Sequence, residues 1–187
     1  MLSLTQLWLP ILLGALAVFF ASSLVHMVFK WHNTDYSRLP NEDEVRAAMR
    51  KGATAPGAYI TPWCSDMKDL AEPATQARFA EGPVAFIFVR PSGIPTMGPA
   101  LGQWFVLNLV VAVFVAYLGS RLLAPGTPYL QVFRVTGTVA LLAYGVGHVS
   151  DGIWGGRPWR VVGKDLLDAL LYALVTGGVF GSLWPKA

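Results

Sequence analysis

Apolar positions along this chain gather into four long blocks, and most polar positions fall in one interval between the first and second. The first block runs from about Leu4 to Phe29, with no Asp, Glu, Lys or Arg before Lys30. The second covers about Leu101–Gly119. The third covers about Tyr129–Val149, with Arg134 one turn inside its start, and the fourth runs from about Leu166 to Trp184 and stops at Pro185. A hydrocarbon layer about 30 Å thick is crossed by roughly 20 apolar residues in helical form. Each block therefore predicts a transmembrane helix, the conformation that bonds every backbone N–H and C=O within its own segment. The first block lacks a positive leader region and a clean small-residue cleavage site, so it reads as a span and not a removed signal.

The interval between blocks one and two carries signals of its own. Asn41 precedes Glu42, Asp43 and Glu44, then bases at Arg50 and Lys51, then Gly52. Asn41 as N-cap, acids in the first turn and bases in the last to suit the helix dipole, and Gly52 as the stop predict a helix over 42–51. The run from Gly82 to Val89, rich in β-branched and aromatic residues and closed by Pro91-Ser92-Gly93, predicts a strand, with Ala58–Thr61 as its partner. The expected fold class is thus an all-α integral membrane protein of four helices with a small α+β cap between helices 1 and 2. Residues 1–30 form the first span, 31–99 the cap lying on the membrane face, and 100–187 a three-helix membrane region.

Composition agrees with this division. Hydrophobic residues make up 54% of the 187 and charged residues 13%, against about 25% charged in soluble domains. Disorder is excluded by the first figure. Residues 30–99 hold 16 of the 25 formal charges, leaving the spans nearly bare. The single cysteine, Cys64, rules out an intrachain disulfide. A formal charge of +3 without a basic stripe gives no reason to expect nucleic acid.

Lys and Arg near span ends predict orientation. Lys30, Arg38 and Arg46 follow the first span, and Arg157, Arg160 and Lys164 separate the third and fourth. The cap is expected in the cytoplasm of a bacterial-type inner membrane, in a multi-pass chain with both termini outside; Arg121, Arg134 and Lys186 run against that bias. Trp8, Trp31, Trp104, Tyr129, Trp154, Trp159 and Trp184 fall near span ends and read as an aromatic belt.

Ionisable and polar groups in spans are costly and mark interior or functional positions. Ser22 and His26 lie four apart in span one. Asn108 stands above Ala112, Ala116 and Ser120 in span two, and Tyr144, His148 and Asp151 share a face of span three. Asp165 and Asp168 are expected in the first turn of span four. Antiparallel alternation puts His26, His148, Asp151, Arg157, Arg160, Lys164, Asp165 and Asp168 at one end of the bundle. His26 and His148 are the candidate ligands of a b-type haem, or members of a proton path. The cap contributes His32, Cys64 and several methionines, but no C-x-x-C or H-x₃-H spacing, so no metal ligands are assigned.

Asp165, Ala169, Ala173, Gly177 and Gly181 recur every four residues, a small-residue stripe that lets helix backbones approach closely. The elbow Ser150–Arg160 places Trp154, Arg157, Trp159 and Arg160 at headgroup depth. No phosphate loop, G-x-G-x-x-G, H-E-x-x-H, G-x-S-x-G or C-x-x-C-H occurs. The leading expectation is therefore a non-catalytic accessory or scaffold subunit of a larger inner-membrane complex. It would meet other membrane subunits, or copies of itself, through Ala169, Ala173, Gly177, Gly181 and the elbow. The alternatives are a haem-binding or proton-path redox protein using His26 and His148, and a homo-oligomeric channel or transporter using Asn108 or the aspartates.

Overall fold

The computed structural model describes residues 2–186, which form two compact units, Ser37–Pro95 and the remainder of the chain. The larger unit holds four helices long and apolar enough to cross a membrane, Leu4–Val28, Met97–Leu122, Tyr129–Trp154 and Trp159–Leu183. The chain is thus compatible with a multi-pass membrane protein.

The first span changes its winding along its length. A 3₁₀ turn at Leu4–Leu7 is capped by Ser3, whose hydroxyl accepts from the Gln6 amide, while the Gln6 side chain accepts from the Ser3 amide. Helix α1 follows at Trp8–Ser23, and the span ends in a π turn at Leu24–Val28, where the Phe29 amide donates to the Leu24 carbonyl at 3.0 Å. Lys30 then takes φ +54°, a left-handed conformation that side chains other than glycine seldom adopt. The chain doubles back there into a 3₁₀ turn at Trp31–Thr34.

The other three spans are α4 (Met97–Leu122), α5 (Tyr129–Trp154) and α6 (Trp159–Leu183). Neighbouring helices close a ring, with α5 against α6, α6 against α1, α1 against α4, and α4 more lightly against α5. Leu7, Val18, Val115, Val132, Ala140 and Phe180 are fully or almost fully buried at its centre. The small-residue stripe on α6 is used inside the chain. Gly177 faces the backbone and ring of Phe133 on α5, Gly181 faces Tyr129, and Ala169 lies under Gly145.

Two expectations need correction. Helix α6 begins at Trp159, a full two turns before Leu166, because Pro158 can open a helix where its missing N–H costs nothing. Asp165 and Asp168 therefore stand in the second and third turns, not the first. Trp104 and Trp184, expected in an outward-facing aromatic belt, instead turn into the bundle. Trp184 is buried against Gly119 and donates to the Ala124 carbonyl at 3.0 Å, and Trp104 donates to Ser22 Oγ at 2.7 Å inside the bundle. Each finds an internal acceptor for its indole N–H, which lets a polar aromatic be buried.

The smaller unit has α2 at Glu42–Lys51, β1 at Gly57–Thr61, α3 at Pro73–Glu81 and β2 at Ala85–Val89. The strands pair antiparallel, Gly57 opposite Val89 and Thr61 opposite Ala85. Asn41 precedes α2 but makes no side-chain cap, and an Arg38–Glu42 ion pair of 3.0 Å stands at that end. Helix α3, which the hydrophobic pattern did not announce, has Pro73 in its first turn and stops at Gly82, whose φ of +67° suits glycine.

The α5–α6 seam gives a direct stability test. A Cβ on Gly177 would stand 2.9 Å from the Phe133 carbonyl oxygen, whereas one on Gly163 meets nothing within 4 Å. Gly177→Ala is expected to cost about 1–3 kcal/mol by overpacking and Gly163→Ala to cost nothing, read by thermal unfolding in detergent.

Candidate metal centre

The C-terminal part of the first span, the start of α4, the end of α5 and the start of α6 meet at one end of the bundle around a cavity of about 620 Å³. One part of its wall is apolar, with Met27, Met97, Leu101 and Leu107. Its floor is aromatic, since Trp104, Tyr144 and Tyr172 lie with ring centres 5.5–6.3 Å apart, Tyr172 meeting the other two edge-on. The rest is polar, and two clusters supply it.

The first cluster joins the two ends of the chain's membrane unit. The left-handed turn at Lys30 folds the backbone so that the His32 ring stacks on His26, centres 4.5 Å apart and planes within 5°. On a continuous helix, residues six apart would point to different faces. Helix α6 holds this segment with Arg160, Lys164 and Asp168, spaced four apart on one face. Arg160 donates to the Thr34 carbonyl at 2.7 Å, and Lys164 donates to the Trp31 carbonyl at 2.6 Å and to Asp35 Oδ1 at 2.5 Å. The Lys164 ammonium also stands 5.8 Å over the Trp31 ring.

Protons can be placed from the acceptors present. A carbonyl oxygen only accepts, so His26 Nδ1–H donates to the Ser22 carbonyl at 3.0 Å. His32 Nδ1–H donates to Asp35 Oδ2 at 2.6 Å. Both rings are thereby turned with Nε2 toward Asp168 Oδ2, at 3.7 Å for His26 and 2.8 Å for His32. The Asp168 side chain is only 8% exposed, and the three ligand atoms lie within 4.8 Å of one another. His32 Nε2 stands at hydrogen-bond distance from Asp168 Oδ2 while both rings commit their Nδ1 protons elsewhere. Such an arrangement requires a cation: a proton on His32, or a metal ion.

Asp35 anchors the set from outside the span. Burial alone would raise its pKa, but hydrogen bonds and charge from Lys164 and His32 outweigh that and hold the carboxyl below the usual 3.8.

The second cluster is built on Arg157. Its guanidinium lies 3.0 Å from Asp165 and 3.9 Å from Asp151, and His148 Nδ1 lies 3.8 Å from Asp165 and 3.9 Å from Asp151. Asp165 Oδ2 takes the 3.0 Å contact with that guanidinium, while His148 Nδ1 and the Tyr172 hydroxyl are buried with no hydrogen-bond partner among the described residues. Each belongs to a residue of the cavity wall. Further in, the Tyr144 hydroxyl donates to Asn108 Oδ1 at 3.0 Å, while Asn108 Nδ2 is also unpartnered. Asn108, Ala112, Ala116 and Ser120 are all buried.

The structure thus brings His26, His148, Asp151, Asp165, Asp168 and Tyr144 to one cavity wall, with Arg157, Arg160 and Lys164 beside it. His26 and His148 each face a carboxylate. His32 and Asp35 were missed as site residues, because an H-x₅-H interval matches neither a helical face nor a familiar ligand spacing. Trp154 and Trp159 are exposed, and Gly152 packs against the Trp159 ring. No protein-family model matches the chain, and no curated protein or solved structure matches it either.

Because the folded-state pKa of Asp35 is depressed, its contribution is complete above 3.8 and is lost only as pH falls through that lowered value. Wild type should therefore keep a constant melting-temperature advantage over Asp35→Asn from pH 7 to about pH 4. The advantage should shrink only at more acid pH; a shrinkage already between pH 7 and 5 would contradict the assignment.

Proposed function

We propose that this chain is an integral membrane protein built around a divalent transition-metal site made by His26, His32 and Asp168. The observation that carries the reading is the convergence of two imidazole Nε2 atoms on one buried carboxylate oxygen, each ring already oriented through Nδ1. Metal-binding histidines characteristically give their other N–H to a carboxylate or a backbone carbonyl, which fixes tautomer and ring direction. Asp35 plays that part for His32, and the Ser22 carbonyl plays it for His26. Two nitrogens and one oxygen suit Zn²⁺ or Fe²⁺ and leave coordination positions open toward the cavity. A metal held by His26, His32 and Asp168 would supply Lewis-acid chemistry there. His148, Asp165 and Tyr172 stand in the same wall as groups able to carry a proton. The lysine and arginine bias at this end favours the cytoplasmic side of an inner membrane, with the cap on that side and both termini outside.

The reading is tested by elemental analysis of protein purified in mild detergent. Wild type is expected to hold about one Zn or Fe per chain, and His26→Ala, His32→Ala and Asp168→Asn to hold almost none. Asp35→Asn should retain the ligands yet bind 10- to 100-fold more weakly. Metal-free wild type that takes up neither Zn²⁺ nor Fe²⁺ would identify the cluster as an imidazolium–carboxylate pair.

A second reading, a non-catalytic subunit of a larger membrane assembly, draws on the elbow, where Trp154 is 79% and Trp159 61% exposed. Since Gly177 and Gly181 pack against α5, the elbow is the part of the expected interface left free. Extraction in digitonin should then yield a particle larger than the chain and its micelle, and Trp154→Ala with Trp159→Ala should reduce it to that size. A monodisperse monomer counts against this reading.

A further inference from the structure

The cavity has a mouth as well as a polar end. Helices α4 and α5 are joined by the short segment 123–128 and touch at Asn108 and Tyr144, yet they make the lightest contact of any neighbouring pair in the ring. Around Tyr144 and on toward the polar end, the walls are Met97, Leu101 and Leu107 of α4 and Ala143 and Gly147 of α5. Met97 and Leu107 are 58% and 47% exposed, and a Cβ placed on Gly147 would meet nothing within 4 Å. Gly145, two residues away, faces α6 at Ala169. One side of this stretch of α5 seals the bundle, and the other borders an opening at the depth of the apolar spans. The opening is walled by alkyl and thioether groups, so water gains little there and a hydrocarbon chain gains much.

The inner end has the opposite chemistry. The Tyr172 hydroxyl and His148 Nδ1 are buried and unpartnered, and the Arg157 guanidinium stands beside Asp165. The same wall carries the Asp151, Asp165 and Asp168 carboxylates, so an oxygen-rich anion would be held there through the open positions of a metal on His26, His32 and Asp168, with the Tyr172 hydroxyl as donor. At about 30 Å³ for each water-sized group, 620 Å³ holds roughly twenty non-hydrogen atoms, enough for one alkyl chain with its head and not for two.

We propose that the cavity takes a single-chain amphiphile with an oxyanion head, entering from the bilayer between α4 and α5. The head would lie between the His26–His32–Asp168 cluster and Tyr172, and the chain would leave past Leu107 and Gly147. The placement of the head rests on the metal reading; the placement of the chain rests on the mouth alone.

Photolabelling of the full chain in detergent with a palmitic acid bearing a mid-chain diazirine tests this. Adducts are expected on the stretches around Leu107 and around Ala143–Gly147. Palmitate or lysophosphatidate should suppress them at least tenfold better than hexadecanol. Whichever of the two competes better identifies the head as carboxylate or phosphate. Ala143→Trp and Gly147→Trp, each checked for monodispersity, should lower labelling at least fivefold, while Val110→Trp on an exposed face outside the cavity leaves it unchanged. Labelling spread over the exposed faces of all four helices, or indifferent to both mouth variants, would overturn the proposal by showing ordinary surrounding lipid. Equal competition by hexadecanol would overturn the oxyanion head. Repeating the labelling with metal-free His32→Ala separates the two readings. Mouth labelling that persists without head discrimination supports both, whereas a wild type that binds metal but labels diffusely defeats the amphiphile alone.

Discussion

A carboxylate at 8% exposure in the interior of an apolar bundle is a debt that the surrounding structure must settle. Asp168 is that group, and much of the polar end of this molecule can be read as its consequence. Its acceptor oxygen needs a positive partner, yet both cations spaced along the same face of α6 are engaged elsewhere, Lys164 with Asp35 and Arg160 with Thr34. What remains within reach is imidazole, and each ring already spends its Nδ1 proton on another acceptor. The positive charge is therefore either a second proton on His32 or, on the proposed reading, a metal ion.

The strained backbone beside the site belongs to the same account. A π turn at Leu24–Val28 and a left-handed Lys30 are both unusual, and such features persist only where neighbouring contacts over-determine them. Here the contacts are visible: two basic side chains of α6 grip the carbonyls of Trp31 and Thr34 and the carboxylate of Asp35. The irregularity turns His32 back onto His26 rather than letting it continue away from the span. Meanwhile the close α5–α6 seam, which glycine makes dense, leaves α4 as the helix that stands apart from α5 near the cavity. Tight packing on one side of the ring and an opening on the other thus come from the distribution of small residues around α5.

The four spans, helix α2 and the hairpin could be read from the chain because each is encoded locally, by apolar length, by charge at helix ends or by β-branched runs. The gathering of His26, His148 and the aspartates at one end followed from alternation of direction. What stayed hidden depends on distant contacts. The partnership of His32 with Asp168 is set by a reversal at Lys30 that no residue preference announces, since lysine is a poor choice for a left-handed turn. The early start of α6 was masked because Arg160 and Lys164 lower the local hydropathy, although they serve as the clamp on residues 31–35. Trp104 and Trp184 looked like headgroup residues from sequence position, yet partners elsewhere in the chain drew them inward.

The separation of 136 residues between His32 and Asp168 also has a meaning in time. A chain made from its amino terminus presents the two histidines first and the carboxylate, with the arginine and lysine that hold their segment, only in the last helix. Until that helix has been inserted there is neither a clamp nor a third donor, and the imidazoles have no fixed direction. The His26–His32–Asp168 cluster is therefore completed only when α6 has packed beside the first span.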